Sequence, residues 1–273
     1  MDIKGMVFQE LKASKKYRYV CGDTLLRIAG WAVERYDAKK AVKAAKNKLH
    51  QVYGAYFEKM NIDKIREQLD KLAGTGTPDE TALKTAALTI MKHHTSTAER
   101  LPFMEQFYAD LFARIGKPRK ILDLACGLNP FSVPWMGLEP GAEYIAIDID
   151  TRLMAAINTY FNYLGGSCIA RCWDILVSLP QEAEEADVVF LLKTLPCLEQ
   201  QDKGISEKLI STLKAKYMVI SFPSKSLTGK AKGMAGHYNR FILGILDKLG
   251  LGHFKMEYAN EVFYIVNSNN SCG

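Results

Sequence analysis

Long hydrophobic runs are missing from this chain of 273 residues. No apolar stretch approaches the roughly 18 residues that a membrane-spanning helix needs, and Met1 to Gly5 lack the basic and then apolar segments of a secretion signal. The six cysteines form no C-x-x-C pair and no Cys/His cluster, so reduced core thiols are favoured over a zinc site. These absences predict a protein of the cytoplasm without a membrane segment, a disulfide framework or a metal.

Glycine-rich phosphate-binding motifs are also missing. Gly127 follows the apolar run Ile121 to Leu124, but it belongs neither to G-x-G-x-x-G nor to G-x-x-x-x-G-K-[ST]. A glycine turn after one strand, followed by a second strand that ends at an acidic residue, is typical of the nucleoside-binding half of a parallel sheet. Because neither phosphate motif is present, a nucleoside without phosphate fits this turn better, and S-adenosylmethionine is such a ligand.

Acidic residues stand where two predicted strands end. Asp148 is placed to accept hydrogen bonds from ribose hydroxyls, and Asp174 is placed to accept one from the adenine amino group. Together with Gly127, these ordered strand ends favour an S-adenosylmethionine-dependent methyltransferase. The alternative is an ordinary α/β sheet whose acidic strand ends only cap helices.

Strands and helices alternate from Lys120 onward, which predicts an α/β fold. Seven strands that end in an antiparallel hairpin are typical of the Rossmann-like sheet of S-adenosylmethionine-dependent methyltransferases. The predicted strands occupy residues 120–124, 143–148, 167–172, 187–192, 217–222, 253–258 and 261–266.

Helical spacing precedes the predicted sheet over residues 5–73, with Asp23 and Asp37 as N-cap signals. Gly74 to Glu80 is typical of a linker, after which helices are predicted over Thr81 to Met91 and Arg100 to Ile115. We therefore predict two domains. The first, residues 1–75, is helical and basic, and the second, residues 76–273, is the methyltransferase domain.

The formal charge of +6 is unevenly distributed. Residues 1–50 contain nine lysines and three arginines against five acidic residues, which gives +7. Residues 51–100 balance at seven against seven, and residues 101–273 have 17 basic against 18 acidic residues. A basic appendage on a near-neutral domain indicates a polyanionic partner such as RNA. The alternative is a solvated helical surface.

Several segments, in order along the chain, resemble the aminoglycoside-resistance 16S rRNA (guanine(1405)-N(7))-methyltransferases of the Arm and Rmt type. The resemblance extends from about Ser14 to Val266. The segments that carry it are Lys48 to Tyr56, His94 to Arg100, Asp123 to Pro130, Leu191 to Glu199, Ser221 to Leu227 with Lys232 to Met234, and Asn260 to Val266.

The resemblance implies S-adenosyl-L-methionine as cofactor, and it implies the residues that line its pocket. Arg100 would bind the methionine carboxylate through its guanidinium fork, and Ile175 and Leu192 would form walls around the adenine. Without the resemblance, such apolar positions could equally be plain core. The implied pocket residues, to which the turn adds Gly127, are Tyr56, His94, Thr95, Ser96, Arg100, Ala125, Asp148, Asp174, Ile175, Leu192 and Gln201.

The family methylates N7 of one guanine in the decoding-site helix, helix 44 of 16S rRNA, and the resemblance implies the assembled 30S ribosomal subunit as partner, aminoglycoside resistance as phenotype and a monomer. Phosphate contacts are predicted for Lys15, Lys16, Arg18, Lys46 and Lys48. The loop from Pro223 to Met234, with Lys225, Lys230 and Lys232, is predicted to clamp the RNA backbone and a flipped base. Its alternative is a mobile surface loop with solvated lysines.

No catalytic side chain is predicted, because guanine N7 carries a free lone pair and loses no proton when it is methylated. Proximity and alignment then account for catalysis, and Cys126 is expected to pack in the core. Two further functions remain open from the residues alone. One is a methyltransferase for small molecules or proteins on the same sheet, and the other is a ribosome-binding factor without turnover.

Overall fold

A computed structural model describes residues 2–54, 60–74, 76–224 and 234–271 of the chain. Three helices come first, α1 (Ile3–Ala13), α2 (Gly22–Val33) and α3 (Ala38–Leu49), and a π-helical turn at His50–Gly54 follows them. The three helices pack on one another around a core of their own. Its fully buried side chains include Val7, Leu11, Leu25, Ala29 and Leu49.

Helix capping agrees with one of the two N-cap predictions. The Asp37 side chain accepts a hydrogen bond from the Lys40 backbone N at 3.0 Å, which confirms the start of α3. The prediction for Asp23 is wrong, because α2 begins at Gly22 and its N-cap residue is Cys21. Asp23 lies instead in the first turn, where its negative charge still faces the positive end of the helix.

Most of the next helices contribute to the core cluster on one face of the sheet. Helices α4 (Ile62–Ala73) and α5 (Glu80–Met91) are followed by the single turn α6 (Thr95–Ala98) and by α7 (Met104–Ile115). The helix predicted from Arg100 begins at Met104. Pro102 lies in a 3₁₀ turn before it, and Phe103, at φ −129°, breaks the helical conformation.

Seven strands form one sheet in the order β3-β2-β1-β4-β5-β7-β6. Strands β1 to β5 run parallel, and β7 is antiparallel to both β5 and β6. The predicted seven-stranded Rossmann-like sheet with a closing hairpin is confirmed. The strands are β1 (Lys120–Leu124), β2 (Glu143–Asp148), β3 (Ser167–Cys172), β4 (Val188–Leu192), β5 (Tyr217–Pro223), β6 (Leu251–Glu257) and β7 (Glu261–Ser271).

Helices cover both faces of the sheet, and the alternation of side chains along each strand divides the core in two. On β4, Val188 and Phe190 join one cluster, whereas Val189 and Leu191 join the other. The helices on these faces are α8 (Thr151–Leu164), α9 (Leu195–Glu199), α10 (Ile205–Thr212) and α11 (Met234–Leu249). In the described part of the chain, no helix is long and apolar enough to cross a bilayer.

Helix α4 bears on the predicted division into domains. Its buried Ile65 and Leu69 belong to the cluster that also contains Phe107 and Tyr160, and not to the core formed by α1 to α3. The helix therefore packs with the sheet although it lies within the first 75 residues. The boundary at residue 75 stays a prediction.

Candidate active site

The turn after β1 has two residues in the left-handed region. Ala125 has φ +52° and Gly127 has φ +51°. A non-glycine residue in this region costs about 1 kcal/mol or more, so the turn at Ala125 is strained. Backbone hydrogen bonds tie it to the neighbouring strand, because Cys126 N donates to Ile147 O at 2.9 Å. The turn thus lies at the carboxyl ends of β1 and β2, beside the point where the strand order reverses between β1 and β4.

Asp148 closes the other side of this turn. Its Oδ2 accepts a hydrogen bond from Gly127 N at 2.9 Å, and its Oδ1 accepts one from Ile149 N at 2.6 Å. Burial raises the pKa of this carboxyl to about 6, although the two backbone donors oppose the shift. A carboxylate accepts about four hydrogen bonds. The group therefore retains acceptor capacity for ribose hydroxyls.

His94 also lies against the glycine turn. A methyl group built on Gly127 would come 3.8 Å from His94 Cε1, and His94 Nδ1 is buried without a hydrogen-bond partner. Burial, together with the charges of Lys193 and Arg100, lowers the pKa of His94 to about 4, so the ring is neutral at pH 7. Thr95, which is exposed, and Ser96, which is half-buried, follow it in α6.

Asp174 and Gln201 share one partner, Arg27, which sequence reasoning did not single out. Arg27 Nε donates to Asp174 Oδ2 at 2.9 Å, and Arg27 Nη2 donates to Gln201 Oε1 at 3.1 Å. No local signal could have found this residue, because it precedes Asp174 by 147 positions in the chain. Trp173 N donates to Asp148 O at 3.0 Å, which places Asp174 next to the Asp148 strand end.

Arg100 is deeply buried, and the structure gives its guanidinium a protein carboxylate as partner. Arg100 Nη2 and Nε donate to Glu261 at 2.6 and 3.1 Å, and Nη1 donates to Asn129 Oδ1 at 2.7 Å. Of the five donors of a guanidinium, two remain for a ligand carboxylate. The predicted contact with the methionine carboxylate stays a prediction.

Lys193 and Glu261 also join the site and were not predicted. Lys193, directly after Leu192 at the end of β4, has φ +57°. Its Nζ lies 2.7 Å from Glu99 Oε2 and 3.5 Å from Glu261 Oε2. A lysine directly after an apolar strand was a usable signal for Lys193. The sequence contains no such signal for Glu261, because only the antiparallel pairing of β7 with β5 places Glu261 beside Ser221. The Ser221 Oγ donates a hydrogen bond to the Glu261 carboxylate at 2.5 Å.

The remaining predicted pocket residues lie at the same edge. Ala125 is exposed, and Leu192 and Ile175 are half-buried at the margins of the two core clusters. Cys126 is buried, and burial raises its pKa well above the ordinary value, so the group remains a thiol. Tyr56, Lys225, Lys230 and Lys232 lie outside the described residues. Among those described, no three His, Cys, Asp or Glu side chains are grouped as a metal site.

The predicted RNA-binding residues that the structure describes belong to the first three helices and the segment between α1 and α2. Lys15, Lys16 and Arg18 lie in the segment between α1 and α2, where Lys16 and Arg18 flank the buried Tyr17. Lys46 and Lys48 lie in the last turn of α3. Several have partners in the protein: Lys16 Nζ lies 3.0 Å from His50 Nδ1, Lys46 Nζ 4.0 Å from Glu10, and Lys48 Nζ 5.6 Å from the centre of the Trp31 ring.

Fold and site together define a class. The strand order reverses between β1 and β4, and the sheet ends with an antiparallel β7. The glycine turn after β1 is hydrogen-bonded to a buried carboxylate at the end of β2. This arrangement is that of an S-adenosylmethionine-dependent methyltransferase. The polar groups at this edge fit this cofactor. The carboxylates of Asp148 and Asp174 suit its hydroxyl and amino groups, and the unpartnered His94 Nδ1 faces the same turn.

The chain belongs to the ribosomal RNA methyltransferase (FmrO) family, whose model matches residues 13–265. A 16S rRNA (guanine(1405)-N(7))-methyltransferase of Micromonospora echinospora is 35% identical over 265 residues, 95% of each chain. One of Serratia marcescens is 31% identical over 94% of this chain and 95% of its own. The crystal structure of the 16S rRNA methyltransferase RmtF in complex with S-adenosyl-L-homocysteine superposes with a TM-score of 0.81 at 32% identity, covering 98% of this chain and 99% of RmtF.

Proposed function

We propose that this protein transfers a methyl group from S-adenosylmethionine to N7 of guanine 1405 of 16S rRNA in the assembled 30S subunit. The observation that carries the proposal is the Gly127–Asp148 hydrogen bond at the carboxyl edge of the sheet. This arrangement would form part of a nucleoside site, in a chain whose full-length relatives carry this activity in their names.

The cofactor pocket would extend along the carboxyl edge of the sheet. Asp148 would accept hydrogen bonds from the ribose hydroxyls, and Asp174 with Gln201 would receive the adenine edge. Ile175 and Leu192 would contact the adenine ring. The methionine end would lie toward His94, Arg100 and the α6 turn with Thr95 and Ser96. Tyr56 and Ala125 complete the proposed set, and Gly127 lets the backbone approach the ligand because it has no side chain.

The chain has to position the two substrates rather than move a proton. Bound S-adenosylmethionine supplies an electrophilic methyl group on a sulfonium, and guanine N7 already carries the lone pair that accepts it. The neutral His94 and the protonated, buried Cys126 agree with a site that needs no general base or covalent nucleophile. The contribution of the protein is then alignment, exclusion of water and an electrostatic environment that suits the transfer of positive charge from sulfur to the base.

The basic helical domain, residues 1–75, would hold the ribosomal substrate. Lys15, Lys16, Arg18, Lys46 and Lys48 would contact phosphates and fix the register on the rRNA. Lys225, Lys230 and Lys232 would contact the backbone near the target. The guanine lies in the helix 44 duplex, so it would have to be flipped out at a cost of a few kcal/mol. The enzyme would act as a monomer in the cytoplasm, where assembled subunits are found.

The product would explain aminoglycoside resistance. A guanine methylated at N7 has a fixed positive charge and an added methyl group. Aminoglycosides are polycations, so both charge repulsion and steric clash would oppose their binding beside this base.

Methyl transfer to purified subunits tests the proposal. Radiolabelled S-adenosylmethionine is incubated with the protein and with 30S subunits or free 16S rRNA, and the modified position is mapped by borohydride and aniline cleavage followed by reverse transcription. We expect one methyl group per 30S subunit, a stop at guanine 1405 and poor labelling of free rRNA. Labelling of another nucleotide, or tight subunit binding without any labelling, would refute the proposal.

A further inference from the structure

Helix α2, which belongs to the basic helical region, contacts the proposed cofactor site directly. The contact is Arg27, whose side chain is 23% exposed, whereas that of Asp174 is only 3% exposed. The guanidinium spans two residues of the predicted pocket, because Nε donates to Asp174 Oδ2 and Nη2 donates to Gln201 Oε1. One side chain from outside the sheet thus fixes the spacing of both.

A second set of hydrogen bonds fixes the position of α2 itself. Cys21 N, at the start of α2, donates to Ile149 O at 2.7 Å, and Thr151 N donates to Tyr19 O at 2.9 Å. Val20 and Asp150 form an antiparallel bridge between these hydrogen bonds. Ile149 directly follows Asp148, so the segment before α2 is attached to the strand end that carries the proposed ribose carboxylate. Arg27, less than two turns further along α2, therefore reaches Asp174 from an anchored helix.

The hydrogen bonds of Asp174 orient its carboxylate. Leu176 N donates to Oδ1 at 2.9 Å and Arg27 Nε donates to Oδ2 at 2.9 Å. A donor at each oxygen fixes the plane of the carboxylate, and about two further acceptor positions remain for a ligand. Without Arg27, Asp174 keeps only one of these two donors and Gln201 has no partner for its Oε1. Both side chains could then rotate away from the positions that an adenine amino group requires.

We propose that Arg27 is a positioning residue for the adenine end of the cofactor pocket, and that it acts by holding Asp174 and Gln201 in the orientation that selects an amino group over a carbonyl. This inference rests on the proposed function, since it assumes that S-adenosylmethionine binds at this edge. It adds that a helix of the basic region determines part of the cofactor selectivity. Docking of α2 and binding of the cofactor are then linked.

The competing explanation is an ion pair that only joins the helical region to the sheet. Such a pair would affect the fraction of folded protein. A smaller folded fraction weakens the apparent affinity for every ligand of the folded state by the same factor. A ratio of two affinities is therefore unaffected by a purely structural role, whereas a positioning role changes the ratio.

The experiment measures this ratio by isothermal titration calorimetry. The probes are S-adenosyl-L-homocysteine and S-inosyl-L-homocysteine, which has a carbonyl in place of the adenine amino group and cannot donate a hydrogen bond from that position. The proteins are the wild type, Arg27→Gln, Arg27→Lys and Arg35→Gln. Arg35 is the matched control, because it is an arginine just beyond the C-terminus of α2 whose side chain is 51% exposed and pairs with Glu34.

We expect the wild type and Arg35→Gln to bind the adenosyl probe about 10-fold or more tightly than the inosyl probe, the effect of one hydrogen bond to a charged group. Arg27→Gln should reduce this preference to about twofold or less, mainly by lowering the affinity for the adenosyl probe. Arg27→Lys should lie between them, because it keeps the charge beside Asp174 but cannot form the fork that reaches Gln201.

The inference is overturned if Arg27→Gln lowers the affinity for both probes by the same factor, or if the variant prefers the adenosyl probe as strongly as the wild type does. Failure of the proposed function gives a different result. If the wild type does not bind S-adenosyl-L-homocysteine, both the cofactor assignment and this inference fall. If the wild type binds S-adenosyl-L-homocysteine and prefers it over the inosyl probe but does not methylate 30S subunits, only the assignment of the substrate falls. The role of Arg27 then stands.

Discussion

Arg100 and Glu261 form a bidentate ion pair in the interior of the protein, with their side chains 2% and 0% exposed. The pair joins the segment before α7 to the first residue of β7, 161 positions apart in the chain. Asn129, Ser221 and Lys193 complete the hydrogen bonding around it. A residue predicted from the sequence to bind a ligand is therefore also part of the packed structure.

Arg100→Ala should lower the free energy of unfolding by about 3–5 kcal/mol, because it leaves the Glu261 carboxylate buried without its main partner. Urea unfolding followed by circular dichroism measures the change. Lys71→Ala, which removes a surface pair with Glu67 in which both side chains are more than half exposed, is the control and should change stability by less than about 0.5 kcal/mol. Equal effects of the two variants would show that the buried Arg100–Glu261 pair contributes no more to stability than a surface ion pair.

Binding of S-adenosyl-L-homocysteine should depend on pH through Asp148. The ionised carboxylate accepts hydrogen bonds from ribose hydroxyls, so the affinity should rise as the pH rises through about 6, the pKa of this group, and level off above about 7. Calorimetry between pH 5 and pH 8 measures it. Asp148→Asn should bind about 10-fold or more weakly at pH 7.5.

Asp123 provides the control for this pH dependence. Burial raises its pKa to about 6 as well, but its Oδ2 accepts hydrogen bonds from Tyr144 and Asn129, whereas that of Asp148 accepts one from the glycine turn. The inflection should therefore disappear in Asp148→Asn and persist in Asp123→Asn. The reverse pattern would assign the titration to Asp123 and contradict the proposed role of Asp148.

Tyr53→Phe should destabilise the attachment of the first helices to the sheet. The Tyr53 hydroxyl donates to Asp150, a fully buried residue that caps α8 by accepting from Arg152 N and Leu153 N. Removal of one donor to a buried carboxylate costs about 1–3 kcal/mol. Tyr36→Phe, at a residue that is 42% exposed, is the control and should have little effect in the same urea unfolding measurement. A Tyr53→Phe protein as stable as the wild type would show that this hydrogen bond makes no net contribution.

Gly127→Ala should cost about 1 kcal/mol of stability, because alanine is strained at φ +51°. The cost should stay small, since the added methyl group would meet nothing closer than 3.8 Å. Gly22→Ala is the matched control, because its φ is not positive and it has open space in the first turn of α2. It should be neutral or slightly stabilising in thermal unfolding. If both variants behave alike, the turn does not require glycine.

Reversing the charges of Lys15, Lys16 and Lys48 to Glu should abolish binding to 30S subunits while leaving the affinity for S-adenosyl-L-homocysteine unchanged. Filter binding at several salt concentrations measures the first quantity. Replacing one phosphate-binding lysine alone should reduce the slope of log K against log salt by about 0.7–0.9. Reversal of Lys117, Lys203 and Lys208, three exposed lysines outside the first fifty residues, is the control. If that control weakens binding as much, net charge rather than location determines the affinity.

Much of the fold could be predicted from the sequence. Alternation of apolar segments places β1 to β5 within one residue of their observed bounds, because buried parallel strands read as continuous apolar runs. β6 and β7 were predicted too short at their outer ends, where Leu251, Gly252 and the residues after Val266 pair without an apolar pattern. The start of α7 was missed because a proline at position 102 can belong either to a first helical turn or to the 3₁₀ turn that the structure contains.

The residues of the candidate site also differ in whether they could be predicted from the sequence. Gly127 and Asp148 could be singled out because each lies at the end of a strand, and parallel strands bring their carboxyl ends to one edge. Lys193 offered the same signal, because it directly follows β4, but Arg27 and Glu261 could not be assigned to the site by that reasoning. Their roles depend on side chains that meet across long separations in the chain, and no local pattern specifies which partner a charged residue will find.

The sequence by itself determined the sheet, the glycine turn, the acidic strand end and the basic charge of the first fifty residues, because periodicity, turn chemistry and charge are local properties. Only the tertiary structure decided that Arg100 pairs with Glu261 and that Arg27 reaches Asp174. The physical reason is that a buried charge must find an opposite charge or a hydrogen-bond partner wherever the packing provides one, and packing brings together residues that are far apart in the sequence.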